Sequence, residues 1–210
     1  MREAKIRLSQ KEMELITNAD WILTKNAILQ KVNKLLGSLQ EKQSLYLSSS
    51  DILLPEPVLR LTPKISKGEN YQGLPYQVLD YPRLFDKENL PDRQASICAI
   101  RTMFWWGNFL SITLHLSGIY KKNSEEKIFS LFEELKGNGF YCCVNEDQWE
   151  HHFEETNYKQ FSVINITDFK KLVNKSPFIK LAAKIPLEQW DDAEEFLLAY
   201  FKKMIGILVD

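Results

Sequence analysis

The chain has 210 residues, 27 Lys plus Arg against 28 Asp plus Glu for a net charge of −1, and is 44% hydrophobic and 26% charged. This composition excludes intrinsic disorder and collagen-like classes, and a chain of this length buries roughly 70% of its unfolded surface, enough for one core without disulfide or metal staples. Near-neutrality argues against a duplex nucleic-acid binder, whose affinity rests on a Lys and Arg excess.

One α+β domain over 1–210 is expected, with a helical N-terminal third (9–45), an irregular proline-rich segment (48–91) and a sheet with helices over 97–210. The start MREAKIRLSQKEMEL lacks the apolar stretch of a secretory signal. Apolar runs such as IGILV fall far short of the roughly 18 residues of a membrane span. Cys98, Cys142 and Cys143 form an odd set without a disulfide framework, which points to a reducing, cytoplasmic compartment.

Ser9 and Glu12 have capping-box spacing, so a short helix starts there with Leu15, Ile16 and Ala19 as its apolar stripe; Asn18 to Asp20 break it. From about Thr24, Ile28, Val32, Leu35, Leu36 and Leu39 mark one face of a longer helix. Prolines then punctuate the chain from Pro55 to Pro91 and exclude a long helix. Short extended pieces are expected at Val58 to Leu61 and Tyr76 to Asp80, joined by the loop SKGENYQG.

Residues 97–116, ICAIRTMFWWGNFLSITLHL, are two β-rich runs around Gly107-Asn108, the signature of a two-residue type II′ hairpin. Pairing Trp106 with Phe109 sets Arg101 opposite Leu114, and places Arg101 and His115 on opposite faces. Further on, Ile128 to Leu135 predicts a helix ended by Gly137, and Phe140 to Val144, Phe161 to Ile166 and Phe178 to Ile185 predict strands. Asp168 is positioned to cap a short helix, and Pro186 opens a final amphipathic one carrying Trp190, Ala193, Leu197, Tyr200, Phe201, Met204 and Leu208. Strands without regular βαβ alternation predict a largely antiparallel sheet, with the N-terminal helix pair and the C-terminal helix packed on it.

Arg101 breaks the pattern of its strand. It holds an anion at the floor of a pocket, or lies at the sheet margin, or pairs internally with a carboxylate such as Asp80 or Glu69. Trp106 and His115 sit among aromatic and hydroxyl side chains, the composition of a ligand cleft and equally of a half-exposed sheet face. His115, with an ordinary pKa near neutrality, is the candidate general base, although no Ser, Cys or Asp is tied to it by sequence. Tyr76 and Tyr81 could stack on a ring or cap a core edge. In CCVNEDQWEHHFEE, Cys143, Glu150 and His152 could form a mixed metal site, but the spacing is wrong for structural zinc and the plainer reading is an acidic surface segment. Arg60, Lys64, Lys67 and GENYQG could cradle an anion; Leu74-Pro75 stands where a P-loop needs Lys-Ser/Thr.

The stretches NADWILTKN, LPYQVLDYPR and RTMFWWGNFLSITLHLSG resemble a conserved family of hypothetical proteins of Bacteroidetes-type bacteria. The resemblance implies a bacterial cytoplasmic setting and supplies no activity, cofactor or catalytic residue. The residues point first to a non-catalytic binding domain for a small anionic or aromatic ligand or a protein partner, with Arg101, Trp106, His115, Tyr76 and Tyr81 as its contacts. The alternatives are a hydrolase or transferase using His115 as base, and a homodimer formed through the C-terminal helix. No cofactor, duplex nucleic acid or membrane is expected.

Overall fold

The structure, a computed structural model, describes residues 5–49, 52, 54–85 and 96–209. Helix α1 (Gln10–Thr17) begins with the capping box: the Ser9 hydroxyl accepts from the Glu12 amide and the Glu12 carboxylate accepts from the Ser9 amide. The Asn18 side chain then accepts from the Asp20 and Trp21 amides and starts α2 (Ala19–Ser49). At 31 residues, α2 is about 46 Å long. Its apolar stripe, with Val32, Leu36 and Leu39 wholly buried, lies in the main core. Helix α1 contributes nothing to that core, and the stripe of Leu15 and Ile16 faces solvent instead.

The chain continues through α3 (Glu56–Leu59), β1 (Lys64–Tyr71), β2 (Leu74–Phe85), β3 (Ile97–Trp105), β4 (Phe109–Ser117), α4 (Gly118–Ser130), α5 (Phe132–Gly137), β5 (Tyr141–Cys143), β6 (Tyr158–Gln160), α6 (Ile166–Lys175), β7 (Phe178–Pro186) and α7 (Ala193–Leu208). Among the described residues the strands form one seven-stranded antiparallel sheet in the order β1-β2-β3-β4-β7-β5-β6. The fold is α+β, as the alternation of elements predicts. Among the described residues no helix is long and apolar enough to cross a membrane.

Several local expectations are corrected. SKGENYQG is strand β1 and a tight turn rather than a loop, because Lys64 to Gly68 pair with Tyr76 to Asp80. Val58 to Leu61 is not extended; α3 occupies its start and seats Val58 in the core. The strand expected at Phe161 to Ile166 lies three residues earlier, and Phe161–Val163 is a 3-10 turn. Asn165, not Asp168, caps α6, accepting from the Asp168 amide. The helix expected over Ile128 to Leu135 is interrupted at Leu131, which divides α4 from α5. After Pro186 a 3-10 turn over Leu187–Asp192 precedes α7.

The correction with most consequence is the central hairpin. Trp105 pairs with Phe109, leaving the three-residue loop Trp106-Gly107-Asn108, with Gly107 at φ +69° and the Asn108 amide donating to the Trp105 carbonyl. Adding one residue to the loop moves one strand's side chains to the opposite face relative to its partner. Leu110, Ile112, Leu114 and Leu116 therefore join Cys98, Ile100 and Phe104 against the helices. Arg101 pairs with Thr113 rather than Leu114, and His115 pairs with Ala99. Arg101 and His115 thus share a face.

Candidate functional site

The face of the sheet turned away from the helices is covered by the segment between β5 and β6, residues 144–157. Antiparallel register sets its rows. Asp80, Arg101, Thr113 and Ala182 align across β2, β3, β4 and β7, and Ala99, His115 and Lys180 form the adjacent row. A register shift between Asp80 and Arg83 inserts an extra residue in β2 and brings Phe85 opposite Ile97, so that Phe85 rather than Leu84 faces this side.

Arg101 is held side-on by Asp80, its Nε donating to Oδ1 at 2.7 Å and its Nη2 to Oδ2 at 2.9 Å. The internal carboxylate pairing read from the sequence is therefore present. With the Asp80 side chain 8% exposed and that of Arg101 26%, the pair is mostly desolvated and its geometry is what makes its burial tolerable. The third interaction of the guanidinium is Nη1 to His151 Nε2 at 3.1 Å. Because Arg has only donors, this nitrogen accepts and His151 carries its proton on Nδ1. Burial first, and then the Lys180 and Arg101 charges, hold the His151 pKa well below its ordinary value.

Tyr71 ties the cover to β1. Its hydroxyl accepts from the backbone amides of His151, at 2.7 Å, and His152, at 3.0 Å, and donates to Glu150 Oε2 at 2.8 Å. Burial chiefly raises its pKa to about 12. Lys180 adds a second tie, donating to the Glu150 carbonyl oxygen at 2.5 Å. Gln148 adds a third, with Oε1 at 3.0 Å from His115 Nε2.

Lys180 is the residue the sequence reading missed. It is 1% exposed, with its ammonium 5.2 Å from the centre of the Tyr158 ring. Among the described residues no carboxylate lies within ion-pair distance of it; Asp147 and Glu150 act on it only from farther away. Burial lowers its pKa to about 8, and the Arg101 charge pushes the same way. The signal was present in FIKLAAKIP, where Lys180 and Lys184 take the face opposite Ile179, Leu181, Ala183 and Ile185. Strand alternation gives both lysines to one side.

Between these groups lies a cavity lined by Arg101, Thr113, His115, His151 and Lys180 with Ala99, and walled by Phe85 and Trp149. It is small, with room for a single water molecule. Its charged lining is cationic, Arg101 and Lys180, and both histidines are neutral. Burial, followed by the Lys180 charge, lowers the His115 pKa to about 3. His115 therefore does not titrate near neutrality as expected, and its ring packs edge-on against Trp149 and Phe178. The buried Tyr158 hydroxyl has no hydrogen-bond partner among the described residues, and burial raises its pKa well above the ordinary value.

Of the five contacts expected from sequence, Arg101 and His115 meet at this cavity. Tyr76 lies on the same face but farther along, in a cluster with Val78, Met103 and Trp105. Its ring covers Gly68 so closely that an added Cβ there would meet the ring at 2.5 Å. Trp106 and Tyr81 pack against the main core on the helix side. Among the described residues no three His, Cys, Asp or Glu gather as a metal would require. The Cys143 thiol is directed at Asn157 Oδ1, 3.5 Å away, while His152 Nε2 lies 3.7 Å from Glu150 Oε2. The expected anion cradle at GENYQG is instead a paired hairpin, with the Gly73 amide donating to Asn70 Oδ1.

No family model matches the sequence, and no curated protein and no solved structure matches the chain. What fold and geometry define is an α+β protein with a small cationic cavity between an antiparallel sheet and its cover.

Proposed function

We propose that the protein is a binding domain for a small anion, which enters the cavity between Arg101 and Lys180. The observation that carries this reading is a buried ammonium that has no carboxylate partner among the described residues, facing a cavity that it shares with a guanidinium. An unpaired buried charge costs several kcal/mol, and a bound carboxylate or phosphate offsets that cost. Arg101 has donors to spare: three of its five N–H groups are used by Asp80 and His151, leaving one on each Nη. Phe85 and Trp149 supply the apolar wall. Because the cavity has room for only one water, entry of an anion requires the half-exposed Trp149 to turn outward.

The two other readings draw less support. A general base at His115 would need a proton affinity far above a pKa of about 3, and its hydrogen bond is to Gln148 rather than to a nucleophile. The apolar stripe of α7 is spent on the protein's own core, where Leu197, Phe201 and Met204 are wholly buried and Leu208 packs. The three buried free thiols favour a reducing, cytoplasmic setting, consistent with a bacterial cytoplasmic protein.

The test is a thermal-shift titration with acetate, pyruvate, phosphate and sulfate at constant ionic strength, on the wild type and on Lys180→Met. At least one anion is expected to raise the wild-type Tm saturably and to leave the variant unchanged. Equal shifts in both proteins, or none in either, would overturn the reading.

A further inference from the structure

We propose that Lys180 is a covalent site: its amine condenses with the carbonyl of a small α-oxo acid whose carboxylate is held by Arg101. This rests on the anion reading and names the ligand class. Arg101 and Lys180 stand on strands that flank β4 and are offset by one row of side chains, placing their Cα atoms about 12 Å apart on standard sheet spacings. Both side chains extend to the one cavity over Thr113 and His115. The guanidinium is held toward Asp80 on β2 and the ammonium toward the Glu150 carbonyl, and the cavity that both line lies between them; an α-oxo acid carries its carboxylate and its carbonyl on adjacent carbons, one for each. Even with Trp149 turned outward, the walls of Phe85 and the sheet leave space for small members such as glyoxylate and pyruvate.

The chemistry balances without an oxidant or a metal. The unprotonated Lys180 nitrogen forms a bond to the carbonyl carbon while the carbonyl oxygen takes up a proton. The resulting carbinolamine loses its hydroxyl, with a second proton, as water. The sum is ammonium plus oxo acid giving protonated imine plus water, with one positive charge on each side. The environment favours the free amine that the first step needs. Lys180 is 1% exposed, and this burial, with the repulsion of Arg101, outweighs the opposing pull of Cys143, Asp147 and Glu150; the fixed hydrogen bond is to a neutral carbonyl, that of Glu150. The imine cation then lies beside the carboxylate bound by Arg101, which supplies its counter-charge. The neutral ring of His115 and the hydroxyl of Thr113 border the reacting carbon and can hydrogen-bond the carbinolamine oxygen.

The experiment treats the full chain with pyruvate and sodium cyanoborohydride at pH 8, then maps carboxyethyl groups by peptide mass spectrometry. A Lys180 with its pKa near 8 holds on the order of a hundredfold more free amine than a lysine of ordinary pKa at that pH, so the Lys180 peptide is expected to label first and to near completion. Lactate, the same acid without the carbonyl, is expected to protect it, and Lys180→Met to abolish single-site labelling while the surface lysines react as before. Slow labelling spread over surface lysines and unaffected by lactate would overturn the proposal. Thermal shifts separate the two failures. If pyruvate and lactate both stabilise the wild type but no adduct forms at Lys180, covalent chemistry fails and anion binding stands. If neither stabilises nor labels, both fail.

Discussion

On the helix side of the sheet, Leu110, Ile112, Leu114 and Leu116 are wholly buried among the side chains of α2, α4 and α7. One residue along the same strand, Ser111, Thr113, His115 and Ser117 are nearly as inaccessible, yet Thr113 and His115 meet Arg101, Lys180 and the cover at 144–157. The helix side gains from burial itself, at about 25 cal/mol per Å² of apolar surface. The cover side gains only where each polar group finds a partner, and at Lys180 the pairing is incomplete. Equal burial thus has opposite energetic meaning on the two faces. A fold that stabilises itself with one face and retains a cost on the other has the form expected of a binding site.

Substitutions can break or sharpen that contrast. Leu114→Ala should lose about 3 to 4 kcal/mol in urea unfolding, and a loss under about 1 kcal/mol would deny the helix side its role. Arg101→Met leaves Asp80 buried without its partner and should cost about 3 kcal/mol at neutral pH, with much of the loss relieved in the double variant carrying Asp80→Asn. Lys180→Met should act in the other direction. The Lys180 pKa falls from 10.5 to about 8 on folding, so the wild type loses stability as pH drops through that window and carries the full cost at pH 7. Methionine removes that cost, which is at most about 3 kcal/mol, and the Tm should rise; a fall would show that the ammonium is adequately partnered.

His115 gives a second pH test, on the acid side. Its folded pKa, about 3, is below the ordinary 6.5, so the unfolded chain takes up the proton first. Its contribution is intact above 6.5 and is lost as pH falls toward 3, at a little over 1 kcal/mol per pH unit. His151 adds loss in the same direction. His115→Gln should flatten the acid limb in denaturation curves, and an unchanged slope would assign that limb to other groups. The smallest effect is expected of Tyr71→Phe, about 1 to 2 kcal/mol, because it removes the shared acceptor of two amides.

How much of this was legible from the sequence depended on the kind of signal. The capping box at Ser9, the stripe from Ile28 to Leu39 and the last amphipathic helix follow from local spacing, and the structure has them. The hairpin was recognised but its register was not, because Gly107-Asn108 satisfies a two-residue turn locally while the faces of both strands decide globally. The polar series Ser111, Thr113 and His115 already matched Arg101 better than Leu114 did, and following polarity rather than the turn would have put them together. Asp80 follows, with Glu69 as the alternative, from the demand of the Arg101 charge for a carboxylate. Lys180 required asking which face of its strand it occupied. The cover at 144–157 was unreadable, since its contacts to Tyr71 and Arg101 join residues fifty and more positions apart.

The Tyr71 hydroxyl bears on the order in which the molecule assembles. It joins an edge strand to a segment 80 residues further along the chain, and it satisfies two backbone amides that no strand or helix partner serves. Closing so long a loop yields little until β1 to β4 and β7 are already paired. The cover therefore docks late in folding and opens early, with free energies well below that of global unfolding. Hydrogen exchange should find the His151 and His152 amides opening together, far sooner than those of β4. Such local opening is also a route by which a ligand larger than one water reaches Lys180 without unfolding the sheet.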